Sequence, residues 1–254
     1  MNRSALVIFF ALACCFSAVS ARAQSFDGGY GPAKKPRLLE LQEDLKRTRT
    51  IENIATVLSQ GIVLPEKISI VSGECGTSNA MYVPKKRVLV LCLELLHEVA
   101  SGIARDFRGH HSNEEIKESI VGALLFILYH ELGHALIHQL NLPVLGREED
   151  AADQIGLFFT LKTLDPKPAL AGALWFFRQK TILFTRQHFA DEHSLGPQRQ
   201  TNLACWAYGK DPVKFGFLLQ SGLLPKSRAV RCGSEYAQLD SAVRELLAGK
   251  VQLD

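Results

Sequence analysis

The chain has 254 residues, 47% of them apolar and 22% charged, with 29 Lys and Arg against 26 Asp and Glu. That length supplies core for one large domain or two small ones, and the ordinary charged and aromatic fractions exclude a disordered, collagen-like or coiled-coil chain. A formal charge of +3 is too small to point to nucleic acid, so function has to be sought in local motifs.

Arg3 supplies a short positive n-region, Ala5 to Val19 is an apolar run broken only by Ser17, and Ala21-Arg22-Ala23 is a small-x-small cleavage signal. Residues 1–23 therefore read as a signal peptide, too short for a comfortable membrane span. Cys14 after Ala11-Leu12-Ala13 faintly resembles a lipoprotein box, but the apolar stretch before it is short and Cys15 follows, which argues against a lipid anchor. Cleavage before Gln24 leaves 254 − 23 = 231 residues and, by removing Arg3 and Arg22, takes the charge from +3 to +1. The product is exported, periplasmic or secreted, and Cys75, Cys92, Cys205 and Cys232 then suggest two disulfides with three possible connectivities. Pairing in sequence order closes the shortest loops. A zinc knot is disfavoured because no pair has CxxC spacing.

Residues 24–36, rich in Gly, Pro and Lys without periodicity, read as a flexible lead-in, and residues 37–254 as a single domain. Leu38 to Leu58 has helical spacing, and Lys67 to Ser72 alternates like a strand. Asn79–Val83 and Arg87–Cys92 flank Pro84-Lys85-Lys86 as a hairpin, and Leu93 to Arg105 suits a helix. Ser112-Asn113-Glu114-Glu115 is a capping box opening a long helix to about Leu140, which Asn141-Leu142-Pro143 ends. Further helices are expected over Arg147–Leu164, Pro166–Arg186, Pro197–Tyr208, Pro212–Leu219 and Ser234–Leu247. The fold class is α+β, mostly helical, with a small sheet in the N-terminal third. Polar residues interrupt every later apolar stretch, so no membrane span is expected in the mature chain.

The chemistry-bearing motif is His130-Glu131-Leu132-Gly133-His134, HExxH inside the capped helix. Four residues advance a helix by slightly more than one turn, so His130 and His134 share a face, roughly 6 Å apart at Cβ. Two imidazoles so placed can converge on one Zn²⁺, while Glu131, about 100° further round, can reach a water at the metal. Chance would produce HExxH in a chain this long on the order of once in a hundred. A metal-free alternative buries His, Glu and His in an apolar helix at a cost of several kcal/mol. A catalytic zinc needs a third protein ligand and an open position. Gly146 to Asp153 reads GREEDAAD, and a helix starting there, antiparallel to the first, can present one carboxylate. Glu149 and Asp153 share a face, with Ala151 and Ala152 allowing close approach: Glu149 is assigned as ligand and Asp153 as an acceptor orienting a ligand imidazole. Asp150 is the alternative ligand. Glu148 reads as a solvated charge at a helix N-terminus. His138 cannot join two other ligands from one helix around a tetrahedral ion and reads as packing or surface.

HELGHAL followed by GREEDAAD resembles the gluzincin peptidases, and Glu149-Asp150-Ala151-Ala152-Asp153 is similar to the ExxAD element of the CAAX prenyl endopeptidase group. Asn79-Ala80-Met81-Tyr82 resembles the NAFW-like edge strand of thermolysin-type enzymes, and His193 to Arg199 the downstream HPxxxxR element. The order of features across residues 40–254, down to CWAYG and a late cysteine, is similar to a family of secreted bacterial metallopeptidases without membrane helices; Met81 stands where that family usually has an aromatic. The resemblance implies a zincin-like domain in which the backbone at Asn79 and Ala80 binds peptide. It also makes His193 a hydrogen-bond donor to the transition state and Arg199 a buried partner for carboxylates near the metal. His97, His110, His111 and His188 read as surface residues.

These readings together make the chain a zinc-dependent peptidase: His130, His134 and Glu149 on Zn²⁺, Glu131 as general base, a peptide or protein as substrate. The rivals are a zinc-containing envelope binding or chaperone-like protein without catalysis, and a zinc hydrolase of a non-peptide amide.

Overall fold

The computed structural model describes residues 24–163, 165–178 and 185–252; the expected signal peptide lies outside them. The expected flexible lead-in is corrected at once. Phe26–Tyr30 is strand β1, paired in parallel with β2 (Ile68–Gly73), and Phe26 is fully buried. Burying that aromatic ring and satisfying a run of backbone groups outweighs the freedom of Gly28 and Gly29. Tyr30 Oη donates to Leu45 O at 2.9 Å and contacts Glu52 Oε2 at 2.8 Å, and burial first, then Glu52, pushes its phenol up to about 12.

The expected Leu38–Leu58 helix is two helices, α1 (Pro36–Arg47) and α2 (Thr50–Gly61), broken where Arg49 adopts a left-handed conformation with φ of 51°. They form the crossover between β1 and β2. β3 (Ala80–Val83), a 3₁₀ turn at Pro84–Lys86 and β4 (Val88–Cys92) make the expected hairpin. The sheet order is β1-β2-β4-β3, with β3 antiparallel to β4 and on the edge. Ile68, Ile70, Leu89 and Leu91 alternate onto one buried face, as a half-buried sheet requires.

Helix α3 (Leu93–Phe107) follows, then α4 (Asn113–Leu140), whose capping box at Ser112 and Glu115 is formed. α4 is long and apolar enough to cross a membrane by length and composition, contrary to the expectation that polar residues would prevent this. Here 72% of its most apolar stretch is buried inside the fold, which makes it the core helix. α5 (Glu148–Thr163) and α6 (Pro166–Phe176) pack on it. Gly172 of α6 meets the carbonyl of Ser119 so closely that a Cβ would collide with it. Of the expected Pro166–Arg186 helix, α6 covers Pro166–Phe176, with Phe177 as its cap packed on Phe126, ring centroids 5.4 Å apart; residues 179–184 of that expectation lie outside the described residues.

α7 (Arg186–Ala190), α8 (Gly196–Lys210), α9 (Phe217–Gln220), α10 (Lys226–Ala229) and α11 (Cys232–Leu246) complete the described chain. Disulfides join Cys75 to Cys92, tying the loop before β3 to the head of α3, and Cys205 to Cys232, tying α8 to α11. The architecture is mostly helical with a small mixed sheet, as expected of an α+β chain.

Candidate metal centre and active site

α4 carries His130 and Glu131 through the middle of the protein, 6% and 8% exposed. α5 runs antiparallel beside it. The seam is built of small residues: a Cβ on Gly133 would lie 3.0 Å from Ala152 Cα, and one on Gly156 3.1 Å from His130 N. At this separation the acidic start of α5 reaches the imidazoles directly.

His130 Nε2 and His134 Nε2 are 3.3 Å apart. Glu149 closes the triangle, Oε2 at 3.1 Å from His130 Nε2 and Oε1 at 3.3 Å from His134 Nε2. A tetrahedral ion with bonds of 2.0–2.1 Å has ligand atoms about 3.3–3.4 Å apart, the separation of the two imidazole nitrogens, and Glu149 lies against both rings with one oxygen to each. Glu149 Oε2 is buried and receives no aligned hydrogen bond, although His130 Nε2 and His193 Nε2 lie 3.1 and 3.0 Å away. Two imidazoles and an unsatisfied buried carboxylate oxygen are donors that suit a divalent transition metal. His193 also approaches: ligand atoms of His130, Glu149 and His193 all lie within 4.8 Å of one another.

Each imidazole is held from behind. His130 Nδ1 faces Asp153 Oδ1 at 3.0 Å, and Arg199 clamps the same carboxylate through Nε and Nη2 at 2.7 and 2.6 Å. Asp153 is 2% exposed, and its charge survives burial because Arg199 and then His130 hold its carboxyl below the usual range. His134 Nδ1 is 2.7 Å from Glu148 Oε1, so Glu148 is not the purely solvated charge expected. Such carboxylate–imidazole contacts fix the ring that would face a metal. Antiparallel pairing predicts this partner: one turn forward on α4, from His130 to His134, is about one turn back on α5, from Asp153 to Glu148.

Charge gathers accordingly. Burial disfavours a charged His134, yet Glu149 and Glu148 raise it to about 9. Burial likewise opposes the Glu149 carboxylate, but His130, His134 and His193 hold it far below its ordinary value. Burial raises the Glu131 carboxyl, with His130, His134 and the Tyr82 N–H opposing.

The edge strand meets the site through Tyr82, whose backbone N–H donates to Glu131 Oε2 at 2.8 Å, a contact the motif alone did not reveal. Tyr82 Oη also lies 3.1 Å from His138 Nδ1, so His138, expected as a packing or surface residue, braces the strand. Asn79 and Ala80 line the same cleft of about 990 Å³ that contains His130, Glu131 and His134. Asp150, the alternative ligand, instead accepts from Ser194 Oγ at 2.8 Å and anchors the loop carrying His193. Asp191 Oδ1 accepts from His193 N at 2.9 Å and faces His193 Nδ1 at 3.0 Å, orienting that ring.

A family model, DUF4344, described as "Putative metallopeptidase", matches residues 30–247. The chain belongs to this metallopeptidase family. Searches of curated proteins and of solved structures return no match. The family description fits a hydrolase, and the matched span includes every residue of the cluster described above.

Proposed function

We propose that the protein is an exported zinc peptidase of the gluzincin type, with a zincin-like domain following a cleaved leader. The observation that carries this reading is the convergence of His130 Nε2, His134 Nε2 and the Glu149 carboxylate within 3.1–3.3 Å contacts, with Glu149 Oε2 buried and without an aligned hydrogen bond, a donor set that would suit zinc. His130, His134 and Glu149 would hold the zinc, which would supply a Lewis acid and acidify a water molecule.

The remaining work falls to the chain's own groups. Tyr82 N–H fixes Oε2 of Glu131, leaving Oε1 to take a proton from the attacking water and return it to the departing amine. Burial raises the Glu131 carboxyl, which favours its taking up a proton to pass on. Asp191 at Nδ1 favours a doubly protonated His193, whose Nε2–H can donate to the oxyanion. With its side chain 41% exposed on a loop, His193 suits that role better than a fourth ligand. The outward side of β3 at Ala80 offers backbone groups that bind an extended peptide as an added strand. The apolar leader at residues 1–23 and the two disulfides support export.

The test incubates mature protein, wild type beside Glu131→Gln, with one equivalent of zinc and a diverse peptide library, read by mass spectrometry. Wild type should cut peptides, and the variant should lose cutting while keeping one zinc per chain. Cleavage that survives in the variant, or cleavage of cell-wall amides but of no peptide, would overturn the reading.

A further inference from the structure

The cleft has a direction. Cys92 N donates to Asn79 O at 3.1 Å, so residues 79, 81 and 83 of β3 turn their backbone groups to β4, and by alternation Ala80 and Tyr82 turn theirs away. Ala80 packs against the cluster that contains Ile127, Tyr82 N–H reaches Glu131, and Tyr82 Oη reaches His138. Strand and helix therefore advance together past the imidazoles. Beyond Tyr82 the cleft is bounded by Pro84 at the hairpin tip and by Asn141 and Arg147, the latter just before α5.

That mouth carries positive charge which the fold leaves unmatched. Lys85, Lys86 and Arg87 follow Pro84 and are exposed, as is Arg147, and none of the four makes an ion pair among the described residues. Other arginines lining the cleft are matched, Arg178 with Asp106 at 3.2 Å and Arg199 with Asp153 at 2.6 Å. Glu148, the acid next to Arg147, is turned to His134 Nδ1 at 2.7 Å. Toward Ser78 the lining charge has the other sign: Glu98 accepts from Ser78 Oγ at 2.7 Å. The tip is also held in place. Arg87 adopts a left-handed φ of 52°, its N–H donates to Pro84 O at 3.1 Å, and its carbonyl accepts from Ser69 N at 3.0 Å. Charges displayed on a fixed backbone lose less entropy when a partner binds.

A peptide added to β3 in the antiparallel sense, the more stable pairing, runs from the tip toward Ala80. At about 3.3 Å per residue, Lys85 lies roughly 10 Å beyond Tyr82, so the tip meets residues about three to five positions N-terminal to the bond facing Glu131. We propose that the hairpin tip and Arg147 form a docking site for an acidic segment, which makes the substrate a polypeptide with Asp or Glu at those positions. The inference rests on the peptidase reading above. Its test takes a neutral peptide cut by the zinc-loaded mature protein and places a Glu pair or a Gln pair on either side of the scissile bond. With the pair on the N-terminal side, kcat/KM for Glu over Gln should be about 10-fold at low salt and shrink below twofold near about 0.5 M salt. The ratio should fall below one in the double variant Lys85→Glu/Lys86→Glu. A ratio is insensitive to how much protein is folded. Anisotropy of the same peptides on Glu131→Gln protein should rank them in the same order. Equal preference for acids on both sides, or a ratio within twofold of wild type in the double variant, overturns the docking site and leaves the peptidase intact. Lysine-dependent binding to anionic phospholipid vesicles without any acidic-peptide preference overturns it in favour of a membrane surface. Absence of any cleavage by wild type overturns the peptidase reading, and the anisotropy ranking then decides the docking site alone.

Discussion

Arg199→Leu removes one partner of a buried ion pair while keeping apolar contact with the Phe177 ring, over which the guanidinium sits at 4.3 Å. Asp153 is 2% exposed and takes two charge-assisted hydrogen bonds of 2.6 and 2.7 Å from Arg199, so the variant strands a buried carboxylate. Breaking one side of a buried pair costs roughly 3–5 kcal/mol, and the remaining contact with His130 at 3.0 Å places this case near 3 kcal/mol. For a chain of this size that is a fall in Tm of about 6–12 °C. The sign with pH follows from Asp153, whose folded pKa is depressed. Its stabilisation is present above the unfolded pKa and is lost as pH falls through the folded one. In the variant the stranded carboxyl can take up a proton instead, so the deficit against wild type should shrink from pH 7 to pH 5. Urea unfolding in the presence of chelator measures the loss, and adding Asp153→Asn completes a double-mutant cycle that should recover about half of it. A loss under 1 kcal/mol at pH 7, or no recovery in the double variant, would refute the argument that Asp153 is a buried charge held by Arg199.

Metal-free protein should lose stability as pH rises from 6.5 to 9, because His134, raised to about 9, stabilises fully below its unfolded pKa and no longer above its folded one. The drop should be on the order of 3 kcal/mol in urea titrations and should disappear when zinc is bound, since metal binding strengthens as ligands deprotonate. Glu148→Ala should weaken zinc binding by about 10-fold or more in chelator competition, by releasing the His134 ring while leaving all three proposed ligand side chains present. Replacing Cys205 and Cys232 together by Ala opens a link across 27 residues and should cost about 3.5 kcal/mol in denaturant unfolding. An unchanged midpoint would show that this bridge adds nothing to stability.

The parts of the fold legible in the sequence were those where local signals agree. α4 has a capping box, helical spacing and an Asn141 stop; the hairpin has alternation around Pro84. Two features escaped because tertiary contact overrides local preference. β1 contains Asp-Gly-Gly, a loop by composition, and is a strand because Phe26 is buried against its neighbours. The break at Arg49 and the end of α6 at Phe176 carry no Gly or Pro; the first is a single left-handed residue, a backbone choice that no residue type announces. At the site, residue type and spacing were enough to single out His130, Glu131, His134, Glu149 and Asp153. Glu148, Tyr82 and Asp191 were not: Glu148 follows from the antiparallel register only once it is counted back one turn from Asp153, Tyr82 acts through a backbone N–H that no motif records, and Asp191 through a local loop contact with His193.

X-ray absorption at the zinc edge of metal-loaded mature protein bears most directly on the whole account. Two imidazole nitrogens and two or three light oxygens at 2.0–2.1 Å, one of them from exchangeable solvent, are the expected shell. A sulfur neighbour, or a closed set of protein ligands with no solvent oxygen, would contradict it.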